Sequence, residues 1–122
     1  MKPLAKKDLD TFSKRFCDFV DAQIRSIEVI TPTSMLVSIA TQDEALGFDW
    51  VVLEFEFSGV VDAQLIENDK LSFVDMSDGA SFLYEDEKFA FCIGQYKSLS
   101  NLKNSKIFII SSNLKYEQKP YS

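Results

Sequence analysis

The sequence predicts an α+β fold, in which one N-terminal amphipathic helix packs on a predominantly antiparallel β-sheet of about six to eight strands. Apolar side chains recur every three to four residues over residues 5–20, as on one face of a helix. Over residues 50–57 they alternate with acidic residues, as in a strand with one buried face. The length of 122 residues suits one domain, so we expect residues 1–122 to share a single core.

The predicted helix at residues 5–20 has one apolar stripe, and charged side chains take the rest of its surface. The stripe consists of Leu9, Phe12, Phe16, Phe19 and Val20. Asp8, Asp10 and Asp18 leave too little positive charge for a membrane-surface helix, so we expect this helix to lie across the sheet.

Eight strands are predicted in the remaining chain, because β-branched and aromatic residues fill short segments that turn residues separate. These segments are 22–30, 35–40, 50–57, 60–66, 71–76, 80–84, 88–93 and 106–116. The first two are expected to pair as a hairpin, and the segment at 50–57 is expected at the centre of the sheet. Ser58 and Gly59 interrupt the alternation, which predicts a hairpin or a kinked double strand there.

Three segments carry no strand pattern. Residues 41–49 are polar and acidic around Gly47, and we expect a loop with some freedom. Residues 98–105 form a polar connection without a helix or strand pattern, and residues 117–122 are expected to fray. In contrast, the continuous apolar run at 107–110 predicts a strand covered on both faces.

The charge of the chain bears on its partners. The 19 acidic residues exceed the 13 basic ones and give a net charge of -6, which disfavours nucleic acid as a partner. A cationic protein partner is favoured instead, chiefly through faster encounter. Acidity is also common among bacterial cytosolic proteins, so it has a second explanation that needs no partner.

The residue types give no catalytic, metal or cofactor signature. The chain has no histidine, which removes the commonest general base and the commonest metal ligand. Its four glycines stand alone at turns, so no phosphate-binding loop is present. The remaining acidic cluster is better explained by solvated turns than by a calcium loop, and it consists of Asp75, Asp78, Glu85, Asp86 and Glu87. We therefore expect a protein that is not an enzyme and that needs no cofactor.

Compartment and redox state follow from two further patterns. No apolar run approaches the ~20 residues that cross a bilayer, and residues 1–8 lead into no apolar segment of signal-peptide type. We expect a cytoplasmic protein. Cys17 and Cys92 are far apart in apolar surroundings, which favours buried free thiols over a disulfide.

Two motifs carry a resemblance to a known group of proteins. An Asp-Ala-Gln-Ile segment at 21–24 is followed by Ile27, and a Phe-Ser-Gly-Val segment stands at 57–60. Over residues 19–116 the chain resembles small bacterial α+β proteins grouped with the immunity proteins of polymorphic toxin systems. Many of these begin their first strand with a His-Asp-Ser or similar sequence, and Val20 replaces that histidine here.

The resemblance implies a protein that binds and blocks a bacterial toxin. An acidic inhibitor suits a nuclease toxin with a basic groove, because complementary charge speeds capture. The candidate partner-binding residues are Asp43, Glu44 and Asp49 in the first loop, Asp78, Glu85, Asp86 and Glu87 at the hairpin ends, and Trp50 as an aromatic anchor. Trp50 also fits a position at the rim of the core.

Two other functions stay open. The chain could pair with copies of itself through the exposed face or an uncovered edge strand of the sheet, as a homodimer or larger homo-oligomer. It could also be a small-ligand carrier, or an enzyme, with an aromatic pocket between helix and sheet. Immunity predicts a toxin gene immediately upstream and a tight complex whose association slows with salt.

Overall fold

The computed structural model describes residues 1–121, and it shows one seven-stranded antiparallel sheet with a short N-terminal helix. The strands are β1 (Lys2–Pro3), β2 (Gln23–Thr31), β3 (Ser34–Asp43), β4 (Asp49–Gln64), β5 (Ala80–Glu85), β6 (Lys88–Ile93) and β7 (Phe108–Pro120). The helices are α1 (Leu9–Arg15) and α2 (Leu99–Leu102), with 3-10 turns at Lys6–Asp8, Cys17–Phe19, Glu44–Leu46 and Asn68–Phe73. The α+β class with an antiparallel sheet is confirmed, although the helical part is smaller than predicted.

The sheet order is β2-β3-β4-β7-β6-β5, and β1 pairs with β7. The long strands β4 and β7 form its centre and pair from Val51 opposite Pro120 to Gln64 opposite Phe108. The predicted segments 50–57 and 60–66 are therefore one strand, which bends at an irregularity between Val60 and Asp62. None of the helices in the described chain is long and apolar enough to span a membrane.

Aromatic side chains fill the space between the N-terminal segment and the sheet. Phe12 lies 6.0 Å from Phe55 and 6.3 Å from Phe82, measured between ring centroids, and both pairs meet edge to face. Phe16 and Phe19 are fully buried in the same cluster. Edge-to-face rings of this kind stabilise a core beyond the area they bury, so these phenylalanines fix α1 on the sheet.

The helix predicted at 5–20 ends at Arg15, because the next turn is left-handed. Cys17, Asp18 and Phe19 have φ values of 58°, 52° and 60°. Three successive left-handed residues with side chains are unusual, since each Cβ is crowded by the following carbonyl. The turn redirects the chain toward β2 and leaves Val20 exposed, so Val20 does not continue the apolar stripe.

The strand predicted at 71–76 is wrong. The 3-10 turn Asn68–Phe73 covers part of the edge of β2 instead, and the Asn68 side-chain oxygen accepts a hydrogen bond of 2.9 Å from the Ile27 N–H. The amide of Asn68 thus takes the place of a neighbouring strand's carbonyl at this position. Leu71 is buried while Phe73 is 85% exposed, so the apolar alternation at 71–76 does not mark a half-buried strand.

Two polar segments have more structure than the sequence predicts. Residues 117–120 were expected to fray, but they belong to β7 and pair with the first half of β4. The connection at 98–105 contains α2, whose first turn is capped by the Ser98 hydroxyl. α2 places Leu102 on the second face of the sheet, against Phe108 and Ile110, so the apolar run at 107–110 is covered on both faces, as predicted.

Candidate functional site: an aromatic tip on the central strands

Four large apolar side chains are exposed where β3 passes into β4 and where β7 ends. Leu46, Phe48, Trp50 and Tyr121 are 51%, 51%, 36% and 47% exposed, and we call these four residues the aromatic tip. The rings of Trp50 and Tyr121 lie 5.8 Å apart. Single exposed apolar residues are ordinary, but several around one groove, as Leu46, Trp50 and Tyr121 are, are typical of a binding surface.

The loop that carries the tip is anchored by Asp43. The side chain of Asp43 is fully buried, and its oxygens accept hydrogen bonds from Arg15 Nε at 2.9 Å, from Arg15 Nη2 at 2.8 Å and from the Gln118 amide at 3.1 Å. The backbone N–H of Ala45 donates a further bond of 2.9 Å. A buried carboxylate is tolerated when it is paired and hydrogen-bonded in this way.

The charge state of this anchor follows from its partners. The hydrogen bonds from Arg15 hold the pKa of Asp43 below its ordinary value and outweigh the opposite effect of burial. Ala45 and Gln118 lower this pKa further, each by a smaller amount. Asp43 is therefore ionised at neutral pH and joins α1, the loop and β7. Its carboxylate is inside the protein, so it faces no partner.

Residues 41–49 are not the free loop that their polarity suggests. β3 extends to Asp43, a 3-10 turn follows, and β4 begins at Asp49. The N–H of Phe48 donates a 2.8 Å hydrogen bond to the carbonyl of Asp43, which closes the reversal. Such a connection is short and internally bonded.

Phe48 is held outward in a strained conformation. Its φ is 67°, directly after Gly47 at 64°. A left-handed backbone costs a residue with a Cβ about 1 kcal/mol, and half of the Phe48 side chain stays in water, so burial offsets little of this cost. Strain at an exposed aromatic residue is the kind that clusters at functional sites.

The charges around the tip are mainly negative. Glu44 and Asp49 are exposed, and neither takes part in an ion pair within residues 1–121. Lys119 is near, but its ammonium lies 2.7 Å from Glu54 and 3.8 Å from Glu117. The Arg25 guanidinium also lies near the tip, with its Cζ atom 4.7 Å from the centroid of the Tyr121 ring. The carboxylates of Glu44, Asp49, Glu54 and Glu117 outnumber these two cations.

An open groove of about 730 Å³ lies between the start of β4 and the end of β7. Its walls combine apolar and charged side chains, namely those of Leu46, Asp49, Trp50, Val51, Gln118, Lys119, Pro120 and Tyr121. The groove is wide and shallow enough for a protein side chain to enter from solvent. Pockets of small-molecule carriers enclose most of the surface of their ligand, whereas this groove is open to solvent.

The structure brings together only part of the predicted site. Glu44, Asp49 and Trp50 lie at the tip, and Asp43 is buried at the end of β3. The four candidates at the hairpin ends lie around β5, which β7 and β6 separate from β4. Asp78 precedes β5, where its carbonyl accepts a bond from the Gln95 amide. Glu85 accepts a 3.4 Å bond from the Leu99 N–H, while Asp86 and Glu87 occupy the exposed turn after β5.

Sequence reasoning missed Leu46, Phe48 and Tyr121. A signal was present for two of them, since Leu46, Phe48 and Trp50 are alternate apolar residues inside a polar segment. Their role could not be separated from core packing without the structure. The anchor residues Arg15 and Gln118 left no signal, because they lie 28 and 75 residues from Asp43.

Metal-binding groups do not converge within the described part of the chain, where no three Cys, Asp or Glu side chains are placed to share an ion. No protein-family model matches the chain, and no curated protein or solved structure is significantly similar to it.

Proposed function

We propose that this protein is a non-catalytic binding module that engages a partner protein through its aromatic tip. The observation that carries the proposal is the exposure of Phe48, in the loop that the buried Asp43 anchors, and of Trp50, at the start of β4. Aromatic residues dominate the binding energy of protein interfaces, and a preorganised loop avoids the entropy of ordering on binding. Both features support a binding role.

The most concrete version is a cytoplasmic immunity protein that neutralises a cognate bacterial toxin. The net charge of -6 supports a partner with a basic surface, and so do the carboxylates of Glu44 and Asp49, which form no ion pair with the described residues 1–121. The resemblance at residues 21–24 and 57–60 supports the same version. In this version the tip blocks the toxin by occupying its basic groove.

Self-association is the second candidate, and one observation favours it. Val29 and Ile30 are each 54% exposed near the end of β2, which is an edge strand that the turn Asn68–Phe73 covers only in part. The aromatic tip itself is a poor homodimer interface, because a two-fold contact there would place Glu44 and Asp49 near their own copies. Self-association would therefore use β2 and leave the tip free.

The product of the gene that adjoins the gene for this protein provides the test. Co-expression should relieve the toxicity of that product, and calorimetry should give a tight equimolar complex. Because carboxylates steer the encounter, the association rate should fall as salt is added while dissociation changes little. Absence of any complex, together with a salt-insensitive dimer of the protein alone, would favour self-association through β2.

A further inference from the structure

The strand β5 has an open edge on the side of the sheet away from the aromatic tip. In the sheet of residues 1–121, β5 is the last strand of the order, and only β6 pairs with it. We infer that this edge binds an extended peptide segment with basic side chains, which adds to the sheet as a further strand. The inference goes beyond the proposed function, because the surface that it assigns shares no residue with the aromatic tip.

The backbone of β5 presents hydrogen-bonding groups on its open side. A two-residue turn joins Glu85 of β5 to Lys88 of β6, so these two residues form a hydrogen-bonded pair. Because the direction alternates along a strand, the N–H and C=O groups of Phe82 and Tyr84 point away from β6. The carbonyl of Ala80 points the same way, and it accepts a 3.2 Å hydrogen bond from a side-chain amide instead of from a strand. Phe82 and Tyr84 thus offer donors and acceptors at the spacing of a neighbouring strand.

A groove of about 170 Å³ lies along this edge, with β5 itself as its floor. Phe12 of α1 packs on Phe82 at 6.3 Å between ring centroids, so the wall formed by α1 and the turn after it lies on the Phe82 face. The N–H of Tyr96 donates a 3.1 Å hydrogen bond to Ser81 Oγ, so the wall formed by residues 95–97 lies on the opposite face. A strand added to β5 would therefore have one wall on each of its faces.

The two walls of the groove differ in charge. Asp10 and Asp18 stand on the α1 side, where both are exposed and form no ion pair within residues 1–121. The opposite wall carries Lys97 beside the partly buried side chains of Leu83 and Tyr96. Because side chains alternate along a strand, a peptide with a basic residue at every second position places all of them on the acidic side. Its intervening apolar residues then meet Leu83 and Tyr96.

A second copy of the chain suits this edge less well than a basic peptide does. A two-fold pairing of two β5 strands keeps the α1 walls of both copies on one face of the joint sheet. Asp10 and Asp18 of both copies would then share that face, where Lys6 lies 5.0 Å from the centroid of the Tyr84 ring. The net charge of -6 on each copy also opposes this pairing, whereas it attracts a basic peptide.

The probe is a synthetic peptide of about eight alternating lysine and valine residues, a length typical of a strand, and its glutamate–valine counterpart is the charge control. Fluorescence anisotropy of the labelled peptides measures binding to the full chain at one fixed ionic strength. We expect saturable binding of the lysine peptide and an affinity at least about tenfold weaker for the glutamate peptide. In the amide spectrum of the protein, the N–H signals of Phe82 and Tyr84 should move, whereas those of Val29 and Ile30 in the other edge strand should not.

Two N-methylated forms of the lysine peptide separate strand addition from charge attraction alone. The N–H groups of successive residues point to opposite edges of a strand, so methylation of the lysines blocks one edge and methylation of the valines blocks the other. Because the bound peptide uses one edge, one form should lose about tenfold or more in affinity. The other form should stay within about threefold of the unmethylated peptide.

Two double variants test the acidic wall. Asp10→Asn combined with Asp18→Asn removes both carboxylates, and asparagine tolerates the left-handed backbone of residue 18. Glu67→Gln combined with Asp69→Asn removes the same charge beside the edge of β2. The first double variant should weaken binding of the lysine peptide by about threefold or more, and the second by less than about twofold.

Equal affinity for the lysine and glutamate peptides, equal affinity of the two N-methylated forms, or equal loss in the two double variants would overturn the assignment. A dimer of the protein alone that the lysine peptide dissociates would overturn it too, in favour of a second copy at this edge. None of these results bears on the aromatic tip, whose proposed function fails only if the adjoining gene product does not bind there.

Discussion

Arg15 donates two hydrogen bonds, of 2.9 and 2.8 Å, to the fully buried carboxylate of Asp43. The guanidinium itself is 40% exposed, so the two charges of this ion pair have different surroundings. Because one partner can be hydrated and the other cannot, the two residues are not equivalent in their effect on stability. The pair also joins α1 to the loop that carries the aromatic tip.

Replacing Arg15 should therefore cost more than replacing Asp43. In Arg15→Met the Asp43 carboxylate stays buried with only Ala45 and Gln118 as donors, and we expect a loss of about 3 kcal/mol in the free energy of unfolding. In Asp43→Asn the exposed Arg15 is hydrated, and the loss should be about 1 to 2 kcal/mol. Urea unfolding at neutral pH measures both values, and an equal or reversed order would contradict this description of the pair.

The contribution of this pair should depend on pH. Arg15 lowers the pKa of Asp43 in the folded protein, so folding favours the ionised carboxylate. The stabilisation is complete above the unfolded pKa of about 3.9 and is lost as the pH falls through the lower folded pKa. The stability difference between wild type and Arg15→Met should accordingly shrink as the pH falls below about 4. A stability difference that stays constant as the pH falls would show that the ion pair of Arg15 and Asp43 is not what destabilises Arg15→Met.

Gly79 supports the left-handed turn that ends the N-terminal helix. A Cβ at Gly79 would lie 2.1 Å from the carbonyl oxygen of Asp18, and the φ of Gly79 is 75°. Gly47 has a similar φ of 64° but open space around its Cβ position, so Gly47→Ala is a matched control. We expect Gly79→Ala to cost about 3 kcal/mol or more and Gly47→Ala about 1 kcal/mol in thermal unfolding. Similar costs would mean that the contact with Asp18 relaxes freely.

The two thiols should react at very different rates. Cys92 is fully buried, and burial raises its pKa to about 11, whereas Cys17 is only half-buried. Burial, and then the nearby Glu44 and Asp18, also raise the pKa of Cys17. A thiol-specific reagent at pH 8 should modify Cys17 more slowly than a free cysteine and should reach Cys92 only after unfolding. In the variant Cys17→Ser only the Cys92 thiol is left, and its reaction in the folded state would contradict this order.

The alternation of apolar residues predicted most of the sheet. The strands expected at 22–30, 80–84 and 88–93 agree with β2, β5 and β6 within about two residues, because their side chains alternate between core and solvent. The kink at Gly59 was also visible, since glycine interrupts the alternation of β4 where φ is positive. The local pattern of apolar residues is sufficient to predict a strand wherever one face of that strand is buried.

Features that depend on distant partners were not predictable. The sequence predicts that the helix at 5–20 continues past Arg15, because no glycine or proline stands at residues 16–20. The left-handed turn that ends the helix is supported by Gly79, which is distant in the sequence. The segment 71–76 alternates like a strand, yet the covering role of Asn68 at the edge of β2 makes it a turn. Asp43 likewise stands in a polar segment that predicts a partner-binding loop residue, and its ion pair with Arg15 has no signal in the neighbouring sequence.

If the aromatic tip is the binding surface, loss of a ring from the tip should weaken the complex, and loss of an exposed ring elsewhere should not. Phe48→Ser removes an exposed ring from the tip, and Phe73→Ser removes an even more exposed ring from the turn at Asn68–Phe73. Calorimetric titration with the adjoining gene product should give an affinity about tenfold or more weaker for Phe48→Ser. The affinity of Phe73→Ser should stay within about twofold of wild type. Equal loss in both variants, or full affinity in Phe48→Ser, would contradict the claim.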